Sequence, residues 1–158
     1  MGQFFIDLVH NQVLIASCVA WLVAQVLKFL ISAAINRRFS LERLHGDGGM
    51  PSGHSATVMA LAITVGFSAG WSSIAFGMCM IFAIIVMHDA MGVRRETGKQ
   101  AMDIIKIFEA FNDVLAEHDK ELKHEKLKTL VGHTPLQVIC GAIVGIVVGV
   151  LHSIFFIL

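Results

Sequence analysis

Two short turns in this chain carry residue types that could move a phosphoryl group. The first is Gly48-Gly49-Met50-Pro51-Ser52-Gly53-His54-Ser55, a glycine-rich turn ending in a histidine and opening directly into an apolar run over 56–69. Such a turn aims backbone N–H groups and the positive end of a helix dipole at one point, which suits an anion, above all a phosphate. His54 adds an imidazole, the side chain that exchanges a proton near neutral pH. The second turn is Gly132-His133-Thr134-Pro135-Leu136-Gln137-Val138. Proline at a first helical position and Thr-x-x-Gln in capping-box spacing mark a helix start at Thr134. With two such histidines, one can attack phosphorus while the other protonates the leaving oxygen.

Cations stand ready to assist. Lys28, Arg94, Arg95 and Lys99 could neutralise the equatorial oxygens of a phosphoryl transition state. His88-Asp89, at the end of the third apolar stretch, brings a carboxylate to the same region. Each residue also has a plainer use. A histidine near a membrane interface commonly touches headgroups, an arginine pair after a span sets topology, Asp89 can pair with Arg94 or Arg95, and Gln137 can be a simple capping residue. The functional reading rests on convergence, because all of them fall at one membrane face.

The elements that must position these residues are membrane helices. Of 158 residues, 56% are hydrophobic and 15% charged, too little polar surface for a soluble domain of this size. Apolar stretches cover 13–35, 55–70, 73–91 and 135–158. At about 1.5 Å per residue, runs of about 17–25 residues cross a hydrocarbon core of about 30 Å. The expected architecture is an all-α integral membrane protein, a single domain over 1–158 built as a four-transmembrane-helix bundle. The second stretch is short and should start within the headgroup region. The N-terminal stretch lacks a basic leader region and reads as a retained span. Cys18, Cys79 and Cys140 fall inside spans at no metal-binding spacing and read as small packing residues.

Within the first span, Gln25, Lys28, Ser32 and Asn36 share one helical face. A lysine there is costly unless it snorkels or lines a polar site, and the accompanying stripe favours an inward-facing ligand. Residues 99–131 form a polar insertion of helical period, with Met102, Ile105, Phe108, Phe111, Leu115 and Leu122 on one stripe. This predicts an amphipathic interfacial helix between the third and fourth spans. Gly141, Gly145 and Gly149 repeat at four-residue spacing in the last span, which permits close helix contact within the bundle or in a homo-oligomer.

Eleven of the twelve lysines and arginines lie between spans one and two or between spans three and four, and none lies in the turn Gly70-Trp71-Ser72. The positive-inside rule then places the candidate site toward the cytoplasm and both termini outside. Trp71 and the Phe155-Phe156 pair would sit at the opposite interface. Membrane lipids are the expected partners, and nothing points to nucleic acid.

Taken together, the motifs resemble those of the type-2 phosphatidic acid phosphatase and vanadium haloperoxidase superfamily, in its small divergent membrane branch. GGMPSGHS at 48–55, DAMGVRRETGKQA at 89–101 and GHTPLQVICG at 132–141 match that branch in order over nearly the whole chain. The resemblance implies a lipid phosphatase in which His133 forms a phosphohistidine and His54 is the general acid. It implies that Ser52 and Gly53 contribute to the phosphate cradle, that Lys28 corresponds to the lysine of the first motif, and that arginine and lysine charge replaces any metal or other cofactor. The chain departs from the superfamily pattern in three places. Ile35 and Asn36 stand where Arg-Pro is expected after Lys28, and Leu127 stands where an arginine precedes the nucleophile, which Arg94 or Arg95 could replace. Gln137 stands where an acid orients the histidine ring. Its amide oxygen can accept a ring N–H but cannot stabilise an imidazolium by charge. The alternative reading is therefore a non-catalytic lipid-phosphate-binding or scaffold protein that keeps the fold. A metal-dependent phosphotransferase fits less well, since the further spaced aspartates it would need are missing.

Overall fold

The computed structural model describes residues 1–36, 49–116 and 132–158, and all the regular structure in them is helical. In chain order the elements are α1 (Gly2–Val9), α2 (Gln12–Asn36), α3 (Gly53–Ala69), α4 (Ile74–Met91), α5 (Val93–Ala116) and α6 (Pro135–Phe156). The expected spans correspond to α2, α3, α4 and α6, with ends that move by two residues or fewer. By length and composition, three stretches can cross a membrane: Gln12–Ala34, Ile74–Phe111 and Pro135–Phe156. Gly53–Ala69 is a shorter apolar helix of 17 residues, about 25 Å long.

Helix α3 is the hub, packed against α2, α4 and α6. What lets three helices approach it is the size of the residues between them. Ala20 and Ala24 of α2 meet Ala56 and Ala60 of α3, with Val144 and Val148 of α6 closing the cluster. A second cluster joins Val58 and Met59 to Ala83, flanked by Val86, Met87 and Ala142. Lipid removes the hydrophobic drive between helices, so association depends on close van der Waals contact, which small residues allow.

The glycine repeat of α6 is the extreme case. A Cβ at Gly141 would fall on the carbonyl oxygen of Ser52, and one at Gly145 on that of Ala56. One at Gly149 would come within 3.0 Å of Ile63 Cβ. The repeat is thus used inside the bundle, against α3, and it fixes the register: α3 and α6 run parallel, four residues of one matching four of the other. The large apolar side chains point outward instead, among them Leu22, Leu30, Ile81, Phe82, Ile139 and Ile143, all exposed.

Beyond the expected spans, the chain forms the short helix α1. Its Gln3 Nε2 donates to Asp7 Oδ1 at 2.9 Å, and Asn11 then caps α2, its Oδ1 accepting from the N–H groups of Val13 and Leu14. At the far end of the bundle, His152 Nε2 and Gln12 Oε1 lie 2.9 Å apart and link α6 to α2. There Trp71 lies over Gly66 and stacks edge-on against Phe67 and Phe76.

The polar insertion also differs from expectation in where it begins. Helix α5 starts at Val93, one residue after Gly92, so Arg94, Arg95 and Lys99 ride on its first two turns. Its apolar residues Met102, Ile104, Ile107 and Phe111 are exposed. The remainder of the insertion, with Leu122 and Lys120 to Lys128, and the loop carrying Arg37, Arg38 and Arg43, lie outside the described residues.

Candidate functional site

The two histidine-bearing turns come together. Ser52 caps α3: its Oγ accepts from Ser55 N–H at 3.4 Å and from Ser55 Oγ at 3.1 Å. Its carbonyl accepts Ala56 N–H at 3.1 Å, and its own N–H donates to the Gln137 carbonyl at 3.0 Å. Every polar group of Ser52 is therefore bonded within the protein. What Ser52 offers a ligand is position, because it locks Gly53 and His54 in place at the helix start. Among the described residues, no acceptor faces the N–H groups of Gly53 and His54. That is the ordinary condition of a first helical turn and the basis of anion binding there.

The second turn is fixed from another side. Gly132, at φ +86°, bends the chain into His133, whose N–H donates to the Ala90 carbonyl at 3.0 Å. Asp89, half-buried on the last turn of α4, is the residue next to that carbonyl, so the carboxylate and His133 share one end of the bundle. Thr134 caps α6 in a complete capping box. Its Oγ1 accepts from Gln137 N–H at 3.4 Å, and Gln137 Oε1 accepts from Thr134 N–H at 3.0 Å. The Gln137 side chain is thus engaged by the backbone of its own turn.

With both turns held, the rings of His54 and His133 lie edge to face, their centroids 6.1 Å apart and their planes at 89°. Their surroundings are unequal. His133 is 2% exposed, whereas His54 stands open at the mouth.

Lys28 approaches from α2 and is 6% exposed. Gly49, at φ +106°, accommodates its stem: a Cβ there would lie 3.4 Å from both Lys28 Cγ and Cδ. The inward placement read from the polar stripe is what the structure has. Lys28 lies eight residues before the last residue of α2, about 12 Å along that helix from its end. Of the remaining sequence candidates, Arg95 is exposed on α5, Arg94 lies beside it on the same turn, and Lys99 is ion-paired with Glu96 at 2.6 Å, both half open to solvent. Lys99 is thereby committed to a neighbour on its own helix. A residue the chemistry-led reading left out is Gln25, one turn before Lys28, which lies against Gly53 together with Trp21.

The fold and this geometry define a class: an all-helical membrane protein with two histidines, a buried lysine and a helix N-terminus gathered at one end of its bundle. The chain belongs to the divergent PAP2 family, whose model matches residues 9–148. It is also similar to the uncharacterized membrane protein YuiD of Bacillus subtilis (strain 168), with 39% identity over 157 residues, covering 95% of this chain and 99% of that protein. No solved structure matches the chain.

Proposed function

We propose that this protein is a membrane lipid phosphatase, hydrolysing a phosphomonoester or diphosphate on a lipid through a phosphohistidine. The observation that carries this reading is the edge-to-face pair of His54 and buried His133, 6.1 Å apart at the shared start of two apolar helices. Membership of the divergent PAP2 family supports it. A ring nitrogen of neutral His133 attacks phosphorus, the new P–N bond forms, and the P–O bond to the leaving group breaks. His54 gives its proton to the departing oxygen, then takes one from the water that cleaves the P–N bond and releases phosphate. Lys28, the N–H groups at Gly53 and His54, and the α5 arginines Arg94 and Arg95 spread the charge on the equatorial oxygens. Lys99 contributes by long-range field. Ser52 acts by holding its turn, Asp89 is the carboxylate that serves in place of the acid missing at Gln137, and no metal or cofactor enters the scheme.

The four apolar helices α2, α3, α4 and α6 would all span the bilayer, with α5 lying along its surface. The charge bias puts the site toward the cytoplasm and both termini outside. Polyprenyl phosphate or diphosphate, phosphatidate and phosphatidylglycerol phosphate are the candidate substrates. A site with a buried lysine at a helix start suits a terminal phosphate on any of them.

One observation favours a second reading, a lipid-phosphate-binding scaffold without turnover. Gln137, in the place where the superfamily carries an acid, has its side-chain oxygen bonded to Thr134 N–H. Phosphate release from vesicles carrying each candidate lipid separates the two. The phosphatase reading expects release by the wild type and only background from His133→Ala. Phosphate binding without release in every lipid would leave the scaffold reading standing. Cysteine labelling in the 43–48 loop, blocked from outside intact cells and open after lysis, tests the orientation.

A further inference from the structure

We infer that Gln25 is a ligand-binding residue of this site, donating from its amide to an anionic oxygen held at the start of α3. The inference rests on the phosphatase reading of the site. It begins from a mismatch between Gln25 and its surroundings. Gln25 sits in a helix apolar enough to cross a membrane, yet its Oε1 is buried with no hydrogen-bond partner. Its Nε2 likewise has no acceptor among the described residues. At such depth an amide normally finds a partner, because lipid offers none and an unmet polar group is costly.

The position of the amide supplies the reason. A Cβ on Gly53 would come within 3.3 Å of Gln25 Nε2, so glycine at the first position of α3 leaves room for the amide beside the helix N-terminus. Trp21 flanks it, its Cδ1 3.4 Å from the same point. One turn along the same face of α2 lies Lys28, 6% exposed. Gln25 thus borders Gly53 and Lys28 borders Gly49, four residues apart at the start of α3, where His54 faces His133. An amide that stabilised the helix pair would be bonded across it. This one carries its Nε2 donor beside Gly53, at the start of α3, where an anion would sit.

Two substitutions at Gln25 test this, using full-length protein in detergent micelles and inorganic phosphate, then orthovanadate, as probes. Gln25→Leu keeps the bulk and removes the donor. It should bind phosphate about 10-fold or more weakly, as loss of a hydrogen bond to a charged partner predicts, with a melting temperature equal to or above the wild type. Gln25→Glu keeps the shape and adds a repelling charge, so the affinity order should be Gln, then Leu, then Glu. A packing role for Gln25 predicts a lower melting temperature for Gln25→Leu and no such order. Equal phosphate affinity in all three proteins, while the wild type still releases phosphate from a lipid, overturns the Gln25 assignment alone. Wild-type protein that binds neither probe overturns the assignment together with the phosphatase reading.

Discussion

The backbone N–H of Ser52 donates to the carbonyl oxygen of Gln137 at 3.0 Å, joining two turns that lie 85 positions apart in the sequence. Ser52 precedes the helix bearing His54, and Gln137 belongs to the first turn after His133. This bond therefore sets how far the two imidazoles stand from one another. It can form because Gly141, one turn beyond Gln137, leaves no side chain between α6 and the Ser52 carbonyl.

Gly141→Ala should therefore disturb the site and the fold together. Its new Cβ would fall on the Ser52 carbonyl, which is backbone and cannot swing aside. Overpacking of this kind costs about 1–3 kcal/mol. Thermal unfolding in micelles should show that loss, and phosphate affinity should fall with it. Gly77→Ala, where a Cβ meets open space, is the matched control and should change neither.

Gln137 is read here first as a cap. Gln137→Ala removes one half of the box at the start of α6 and should lower stability by about 0.5–2 kcal/mol. Gln137→Glu keeps the box and places a negative charge at a helix N-terminus, so it should match or exceed the wild type in thermal unfolding. If Gln137→Ala unfolds at the wild-type temperature, the box carries no stability. Any gain in phosphate release by Gln137→Glu over the wild type would show that a carboxylate at this place assists His133.

Much of this arrangement was legible in the residues. Thr134, Pro135 and Gln137 announced the start of α6 through capping chemistry that acts within one turn. The stripe of Gln25, Lys28 and Ser32 gave the inward face of α2, because helical period alone decides which residues share a side. Two features were not legible. That Lys99 pairs with Glu96 depends on α5 beginning at Val93, and boundary placement near Gly92 is a tertiary matter. The contact of Gln25 with Gly53 joins two helices, and no local pattern states which faces meet. The glycine repeat allowed contact within or between chains, and only the register against Ser52, Ala56 and Ile63 chose the first.

Lys28 should be needed for the ligand. Its stem packs over Gly49, and Lys28→Met keeps that apolar stem while removing the ammonium. Phosphate affinity should fall at least about 10-fold, the scale of a lost charged hydrogen bond. Lys28→Arg should restore little, because a planar guanidinium does not fit the enclosed space of an ammonium. Unchanged phosphate affinity in Lys28→Met would remove the lysine from the site.

The far end of the bundle offers a test of independence. His152 and Gln12 bridge α6 and α2 at 2.9 Å, beyond the alanine-lined seam and away from both histidine-bearing turns. His152→Ala and Gln12→Ala, with the double substitution, should give a coupling of about 0.5–1.5 kcal/mol in unfolding, the usual net value of a hydrogen bond. Phosphate affinity should stay at the wild-type value in all three. A fall in affinity would mean that the clip at one end sets the histidine spacing at the other.

The unequal exposure of the two histidines leads to the sharpest prediction about chemistry. Buried His133 is the proposed nucleophile, so its loss should abolish turnover whatever the leaving group. Exposed His54 is the proposed acid, and an acid matters only where the departing oxygen is basic. A lipid alkoxide needs the proton, and His54→Ala should slow release of such an alcohol by about 100- to 10,000-fold. A nitrophenolate leaves unaided, so the same variant should keep most of its activity on an aryl phosphate and accumulate the phosphohistidine, since the water that cleaves it then lacks its base. His133→Ala should fail on both substrates and form no covalent adduct. If His54→Ala loses equal activity on alkyl and aryl phosphates, His54 is binding the phosphate rather than protonating the leaving group.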